Sequence, residues 1–379
     1  MAQHPFKYGT TAILGAFTNR VAETNQLINN YQYGINTILI SPRRWGKTSL
    51  VEQTLLTIKK KKLNLKTCSI DLFNVKSEIE FYEMLSTAIV NAASTKIGDA
   101  INFSKKFITN LIPKFSFTPN DDQRFTLGFD WNELKKHPDE ILDLAEKIAI
   151  EKNTRFIVCI DEFQNISGFD NPLAFQKKLR AHWQRHQNVT YCLYGSKRHM
   201  MTDIFASAKM PFYKFGEIIM LQKIKDADWE KFIIKRFKQT NKTIDRKTAG
   251  IIHTLTERHS YYVQQLAHQC WLRSNNKCTA DIVYDAFESI VMQLSLLFQN
   301  ITDGLSAPQT NFLKALIYGE EKLSSKEVIQ TYRLGTSANI TRIKAALQNK
   351  EIIDIVNKEI SILDPMYKHW LAKYYFKAY

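Results

Sequence analysis

The sequence predicts an α/β core in three layers around a five-stranded parallel sheet, followed by a helical lid and a C-terminal winged helix. Three observations carry this. Five short apolar runs alternate with helical patterns over residues 37–221. Two of those runs deliver chemistry at their ends, one into Gly46-Lys47-Thr48 and one into Asp161-Glu162. From residue 226 the pattern turns to helices alone, and from residue 308 it reads as three helices and a hairpin. The expected boundaries are a core over 1–221, a lid over 222–300 and a winged helix over 301–379.

Ahead of the first strand, Phe17 and Arg20 precede a helical pattern with apolar residues at Val21, Leu27 and Ile28. A segment entering there can fold over a base and ribose, so Arg20 is a candidate nucleotide contact. A surface Arg at a helix start is the competing reading. Ile38-Leu39-Ile40 is a short, largely β-branched strand run that feeds Ser41-Pro42-Arg43-Arg44-Trp45-Gly46-Lys47-Thr48-Ser49. Strand, turn and Gly-Lys-Thr before a helix form the context of a phosphate-binding loop, the mark of a P-loop NTPase core. Backbone N–H groups over 42–49 would wrap phosphate oxygens, and the helix N-terminus would add partial positive charge. Lys47 would reach the β/γ-phosphates, Thr48 would offer its hydroxyl to Mg²⁺, and Gly46 would let the backbone approach. The usual G-x-x-x-x-G-K-[ST] spacing puts its first Gly at position 41, where this chain has Ser.

A helix is expected over 50–58, ending in Lys59-Lys60-Lys61-Lys62. Four Lys there complement the helix dipole; contact with nucleic-acid phosphates is the alternative. A second strand over 65–73 and a helix over 77–93 follow. Residues 96–130 mix Phe with Lys, in Ile101-Asn102-Phe103-Ser104-Lys105-Lys106-Phe107 and in Pro113-Lys114-Phe115-Ser116-Phe117. An insertion or helix cover is expected, with an aromatic-basic binding surface as the alternative. A helix over 138–151 leads into the next strand.

Arg155-Phe156-Ile157-Val158-Cys159-Ile160 ends in Asp161-Glu162-Phe163-Gln164. An apolar strand with Asp-Glu at its tip, behind a phosphate loop, suits Mg²⁺-nucleotide hydrolysis. Asp161 would hold the metal, usually through water, and Glu162 would orient or deprotonate the attacking water. A helix over 172–185 carries Arg180 and Trp183, and a strand over 189–194 ends in Gly195-Ser196. Between the loop strand and the Asp-Glu strand, its tip would face the γ-phosphate, so Ser196 is placed to sense it. Pro211-Phe212-Tyr213 and a strand over 217–221 close the sheet.

In the lid, helices are expected from Asp226 with Phe232, Ile233 and Phe237 inward, from Ser260 with Tyr261, Tyr262, Leu266 and Trp271, and over 281–298. The winged helix is expected as helices over 308–318, 325–332 and 337–348 and a hairpin over 352–363. Thr336, Ser337, Asn339, Arg342 and Lys344 lie on or near its recognition helix and are candidate contacts to double-stranded DNA; docking of a protein partner is the alternative.

At 379 residues the chain is long enough for two or three domains, and its 44% hydrophobic content supplies real cores. No run approaches the ~18–20 apolar residues of a membrane span. The opening Met1-Ala2-Gln3-His4-Pro5-Phe6-Lys7 has no apolar h-region, so a cytoplasmic protein without a membrane partner is expected. Five Cys, at 68, 159, 192, 270 and 278, show no zinc spacing. They are expected as reduced, small apolar residues. The net charge of +15 suits a polyanionic partner, nucleic acid above all; solubility plus a nucleotide pocket is the alternative.

With these residues in view, the chain resembles the archaeal-type P-loop ATPases of the STAND class, a branch related to AAA+ proteins. The resemblance covers most of the chain. It is carried by Phe17-x-x-Arg20, by Pro42-Arg43-Arg44-Trp45-Gly46-Lys47-Thr48-Ser49 and by Ile160-Asp161-Glu162-Phe163-Gln164. Gly195-Ser196, Pro211-Phe212-Tyr213, Asp364-Pro365-Met366 and Trp370-Leu371 continue it. It implies ATP/ADP with Mg²⁺, and a switch in which ADP closes lid and winged helix over the core and ATP opens them. Three positions depart from the pattern: Ser41 replaces the first loop Gly, Phe215 stands where an Arg often follows Pro-Phe-Tyr, and the lid's Gly-x-Pro reads Arg258-His259-Ser260-Tyr261. His259 is then a candidate to stack on or bond to the nucleotide, against a local packing or capping role.

The function expected is a Mg-dependent ATPase that couples nucleotide state to partner or DNA binding. Lys47, Glu162 and Ser196 are its catalytic candidates, and Thr48 and Asp161 its metal ligands. Arg43 or Arg44 would add charge near the phosphates or act on a neighbouring subunit of a homo-oligomer. Two alternatives stand beside it: a DNA-binding regulator or loader akin to origin-binding AAA+ proteins, and a signalling or defence scaffold whose winged helix docks protein.

Overall fold

The structure, a computed structural model, describes residues 5–94, 97–111, 114–117, 125–128 and 130–378. Its contacts divide the chain into two compact units: Arg20–Gln222, and Lys223–Tyr379 together with Met1–Asn19.

The first unit is built on five parallel strands, β1 (Thr37–Ile40), β2 (Leu65–Asp71), β3 (Arg155–Asp161), β4 (Val189–Gly195) and β5 (Glu217–Met220), in the order β2-β3-β4-β1-β5. Every residue of β1 and β4 is buried, as is all of β3 after Arg155. Strands buried on both faces are those of a sheet covered by helices on each side, and they read as continuous apolar runs. The register sets Ile40 opposite both Gly195 and Met220, and Asp71 opposite Asp161. All five C-terminal tips therefore share one edge, where a parallel sheet binds ligands. As expected, β4 lies between the Asp-Glu strand and the loop strand.

The helix after the loop runs Lys47–Lys60, three residues earlier than expected. Gly46, at φ 95°, ends the turn and its carbonyl accepts from the Leu50 N–H, so Lys47 and Thr48 lie in the first helical turn. The helix expected over 138–151 is two, Pro138–Leu142 and Leu144–Glu151. No Gly or Pro breaks it. The Asp143 carboxylate between them is drawn to His182 Nδ1 (2.8 Å) and His186 Nε2 (3.0 Å). Burial pushes Asp143 up, but the hydrogen bonds from His186 and His182 and their charge bring it down to about 2.

The Phe- and Lys-rich segment forms a helix, Ile97–Phe107, and an antiparallel hairpin, Lys114–Phe117 with Phe125–Gly128. Phe103 and Phe107 stack 6.4 Å apart and pack on the core of this unit, and Lys152 sits 4.2 Å over the Phe103 ring. Helix Ile97–Phe107 is a cover, with Phe103 and Phe107 on its inner face. Pro113 lies outside the described residues. Phe163, Trp183, Phe205, Phe212 and Phe215 make an aromatic cluster in the core of this unit, with Trp183 stacked on Tyr191 at 4.2 Å. Phe215 is buried in it and carries the Arg180 guanidinium 5.0 Å over its ring. An Arg at 215 would have to place its charge inside this cluster.

The second unit holds helices Asp226–Lys238, Arg246–Leu255, Ser260–Arg273, Ala280–Gln293 and Ser295–Asp303. The helix expected over 281–298 is broken at Leu294, whose N–H is shared by the Ile290 and Val291 carbonyls. A two-residue parallel pair, Thr243–Ile244 with Lys277–Cys278, was not foreseen. Helices Ala307–Ile317, Lys326–Thr331 and Ser337–Asn349 then lead to the hairpin Ile353–Val356 with Glu359–Ile362. Its two-residue turn, Asn357-Lys358, has positive φ at both positions (51° and 75°), the geometry that suits the twist of a tight hairpin. One core runs through all of these helices, with Tyr367 and Trp370 against Phe298.

The start of the chain joins this second unit. Phe6 is fully buried against Phe232 (6.1 Å) and Phe237 (5.7 Å). The Lys7 N–H donates to Gln264 Oε1 (3.1 Å), Gln264 Nε2 donates to the Ala16 carbonyl (3.2 Å), and Asn19 Nδ2 donates to Asp228 (2.6 Å). All five Cys are buried. Among the described residues no helix is long and apolar enough to cross a membrane.

Candidate functional site

Three neighbouring strand tips bring the predicted residues together. β1 delivers the loop, β3 delivers Asp161 and Glu162, and β4 delivers Gly195 and Ser196. Lys47 Nζ stands 3.0 Å from Asp161 Oδ1 and 3.1 Å from Glu162 Oε1. Thr48 Oγ1 donates to Asp161 Oδ2 at 2.7 Å, and the Glu162 N–H donates to Asp161 Oδ1 at 2.8 Å. Ser196 Oγ donates to Glu162 Oε2 at 2.9 Å. Lys47, Asp161 and Ser196 are all buried, so the ion pairs act in a low-dielectric setting.

The two carboxylates differ. Burial pushes Asp161 up, and Lys47 and the Thr48 hydroxyl offset this only in part, so its pKa lies above the ordinary value. Burial also pushes Glu162 up. Lys47 and hydrogen bonds from Gln164 and Ser196 overcome it, and Glu162 lies below its ordinary value. Glu162 also has a left-handed backbone (φ 50°, ψ 40°). A non-Gly residue held there costs on the order of 1–3 kcal/mol, a strain that recurs at functional sites.

The loop explains its missing Gly. At Ser41 the backbone does not enter the left-handed region, whereas at Arg44 (64°) and Gly46 (95°) it does. Ser41 is buried, its N–H donates to the Gly195 carbonyl (3.4 Å) and its hydroxyl to the Pro42 carbonyl (3.2 Å). Nothing there requires Gly. Pro42 is buried, Arg43 and Arg44 are exposed, and Trp45 and Ser49 are half-buried.

Arg20 belongs to the same unit as the loop. It is buried, Nη1 pairs with Glu23 (2.9 Å), and Nη2 has no partner among the described residues. His259 belongs to the other unit, where it stands at the N-cap position of helix Ser260–Arg273 without a side-chain capping bond and sets its ring 4.9 Å from Tyr262. Tyr262 in turn donates to Asp364 (2.6 Å). This is the packing role weighed for His259.

On the recognition helix, Ser337 and Arg342 are exposed and Lys344 is half-buried. Thr336 caps the helix by accepting from the Asn339 N–H, and Asn339 Nδ2 donates back to the Leu334 carbonyl (2.8 Å). The Asn339 side chain thus closes the turn before the helix. Lys59 to Lys62 are exposed at a helix end.

One residue of the site had no role from sequence. Gln164 is buried and donates through Nε2 to Glu162 Oε2 at 2.5 Å. Its signal in the sequence was its place two residues after Glu162, within the Asp-Glu-Phe-Gln motif that carries the resemblance. Beside it, a Cβ on Gly195 would stand 2.0 Å from Gln164 Oε1.

A family profile described as "Probable winged helix domain" matches residues 296–373, and thus takes in helix Ser295–Asp303 almost whole. No match is found among curated proteins. Among solved structures, the Walker-type ATPase PABY2304 of Pyrococcus abyssi aligns over 97% of this chain and 99% of its own, at 16% identity and a TM-score of 0.66. The ORC2 protein of Aeropyrum pernix, solved as ADPNP–ADP complexes, aligns over 94% of this chain and 92% of its own, at 14% identity and a TM-score of 0.51. At such identities the likeness is one of fold: a five-stranded P-loop core, a helical region and a winged helix in one chain.

Proposed function

We propose that the chain is a Mg-dependent ATPase that works as a conformational switch, coupling nucleotide state to the binding of a partner or DNA. The observation that carries this reading is the Lys47–Asp161–Glu162–Thr48 constellation at the C-terminal sheet edge. The likeness to a Walker-type ATPase and to an ORC2 protein solved with ADPNP and ADP supports it.

Lys47 binds the β/γ-phosphates. Its ammonium is shared by Asp161 and Glu162, so phosphate oxygens compete with the carboxylates for it. Thr48 Oγ1 and Asp161 Oδ2, 2.7 Å apart, are the hard oxygen donors that Mg²⁺ prefers. The metal would neutralise charge developing between the β- and γ-phosphates. Glu162 orients water and takes its proton as the water oxygen bonds to the γ-phosphorus, and ADP leaves with the electron pair of the broken P–O bond. Ser196 holds Glu162 and responds to the γ-phosphate. Arg20 reaches the nucleotide with its unpartnered Nη2, and His259 is a second nucleotide candidate. The backbone over 42–49 cradles phosphate, and the exposed Arg43 and Arg44 add charge or act on a neighbouring copy. The Arg-Arg-x-Gly-Lys-Thr and Asp-Glu-Phe-Gln pair supports reading the chain as a STAND/AAA+-type ATPase, which we take to work in the cytoplasm.

The output is assigned to the winged helix. Net charge of +15, exposed Ser337 and Arg342, and Lys344 beside them favour double-stranded DNA over a protein partner. The ATPase reading is tested by ATP titration and phosphate release on wild type and Glu162→Gln. Wild type is expected to release phosphate. Glu162→Gln is expected to bind ATP and turn over about 100-fold more slowly, the scale of lost general-base catalysis. Equal turnover by the two proteins would remove Glu162 from the mechanism.

A further inference from the structure

Gln164 is built in a way that folding does not ask for. It follows Glu162 by two residues, at the start of the short 3-10 helix Phe163–Gly168, with Phe163 and Ile166 in the core. Its side chain is 1% exposed. Half of its amide is used: Nε2 donates to Glu162 Oε2 at 2.5 Å. The other half, Oε1, has no partner among the described residues. An orphaned buried carbonyl costs stability, and an apolar side chain of the same length would avoid the cost. The amide cannot be reversed to escape it, because Oε1 would then face a carboxylate oxygen.

The room for this arrangement comes from β4. Gly195 lies in the ordinary region of backbone space, since its φ is not positive, so conformation does not demand Gly there. Space does. A Cβ at 195 would meet Gln164 Oε1 at 2.0 Å and Met201 Sδ at 2.8 Å. Gly195 thus makes room for the Gln164 amide beside the carboxylate. Glu162 itself has a left-handed backbone, and its Oε2 accepts from both Gln164 Nε2 and Ser196 Oγ.

We infer that Gln164 is the positioning residue for Glu162, and that Gly195 is small in order to admit it. The inference rests on the ATPase reading, because Glu162 is the group that receives the water proton there. Gln164 touches neither phosphate nor metal in this scheme. It fixes the free rotation of the Glu162 carboxylate from one side while Ser196 Oγ fixes it from the other, both on Oε2. Oε1, on which Lys47 sits at 3.1 Å, is the oxygen set free when Lys47 turns to phosphate.

The test uses Gln164→Met, Gly195→Ala, Gln164→Ala and the double variant Gly195→Ala/Gln164→Ala in the full chain. Phosphate release, ATP affinity and melting temperature are measured for each. Gln164→Met keeps the length and removes the donor; its kcat is expected to fall about 10- to 100-fold, the scale of a misplaced catalytic group. Its ATP Kd is expected to stay within about 3-fold of wild type, because ground-state binding is untouched, and its melting temperature is expected to hold or rise. Gly195→Ala is expected to lower kcat likewise. In the Gln164→Ala background the same change is expected to do little more, since the side chain it displaces is already gone. Wild-type kcat in Gln164→Met overturns the inference while leaving the ATPase reading intact. So does a full additive loss from Gly195→Ala in the Gln164→Ala background. Loss of ATP affinity and melting temperature together with kcat overturns it in favour of a structural role. Absence of phosphate release by wild type overturns the ATPase reading and the inference with it.

Discussion

The tip of the sheet and the face of the recognition helix use polar residues in opposite ways. At the sheet edge each charged group answers another: Lys47 bridges Asp161 and Glu162, Thr48 donates to Asp161, and Ser196 and Gln164 donate to Glu162. On helix Ser337–Asn349, Ser337 and Arg342 stand exposed, and the Asn339 side chain donates within its own turn. The first region is organised before any ligand arrives, which is what the proposed catalysis would use. In the proposed reading the second meets DNA through exposed residues, and its affinity would then come from charge and be sensitive to salt.

The sharpest way to break that contrast is Lys47→Ala. Removing one partner of a buried charge pair typically costs about 2–5 kcal/mol, so ATP affinity is expected to fall on the order of 100-fold or more in a nucleotide titration. The ligand-free protein is expected to melt lower as well, because Asp161 and Glu162 lose the cation they share. Retained affinity would mean that the ion pairs are structural. A smaller effect is expected from Arg342→Ala and Lys344→Ala, measured by binding to labelled duplex DNA across a salt series. Each is expected to lower the slope of log affinity against log salt by about 1. A slope unchanged by both would move the partner from DNA to protein.

A third cluster sharpens the contrast further. Asp143, His182 and His186 are as fully engaged with one another as the site residues are, yet they lie at a helix break. Mutual bonding alone would then mark them as functional. Asp143→Asn is expected to leave turnover unchanged and to reduce stability by about 1 kcal/mol at pH 6, after discounting for solvent screening. The sign follows from a folded pKa of about 2 against the ordinary value of 3.8. The contribution is present above the unfolded value and is lost as pH falls from 3.8 toward about 2, so the gap between wild type and variant is expected to close in that window. Denaturant melts at a series of pH values check it. The smallest effect belongs to Ser41→Gly. The backbone there needs no Gly, so ATP affinity is expected to stay put while stability drops by about 0.5–1 kcal/mol, the entropic cost of Gly.

What could be read from residue order alone follows from how far apart the determinants lie. The sheet was legible because β1, β3 and β4 are continuous apolar runs with chemistry at their ends, a pattern contained within a dozen residues. The Lys47–Asp161–Glu162 contact was legible because two separate motifs imply one nucleotide. The break at Asp143 was not, since the partners of its carboxylate lie 39 and 43 residues on, His182 at the end of a helix and His186 in the loop after it. Nor was the left-handed Glu162, which no local residue pattern announces, or the space at Gly195, whose neighbour is Gln164. The Phe and Lys mixture over 101–107 favours a packed cover and leaves a binding surface as the alternative, and Phe103 and Phe107 packed on the core agree with the cover.

The first nineteen residues have a consequence for how the molecule is made. The α/β unit is a guest set inside the sequence of its host, with Met1–Asn19 on one side and Lys223–Tyr379 on the other. Lys7 bonds to Gln264 across 257 positions of chain. At a synthesis rate of about 5–20 residues per second, that partner emerges roughly 10–50 s after Lys7. Through this interval the guest can complete its sheet, since all of its strands are already out, while Phe6 waits with its ring unburied. The second unit therefore closes last and from both ends, and the molecule passes through a stage in which the sheet edge carrying Lys47, Asp161 and Glu162 is built and the helices after Lys223 are not yet packed.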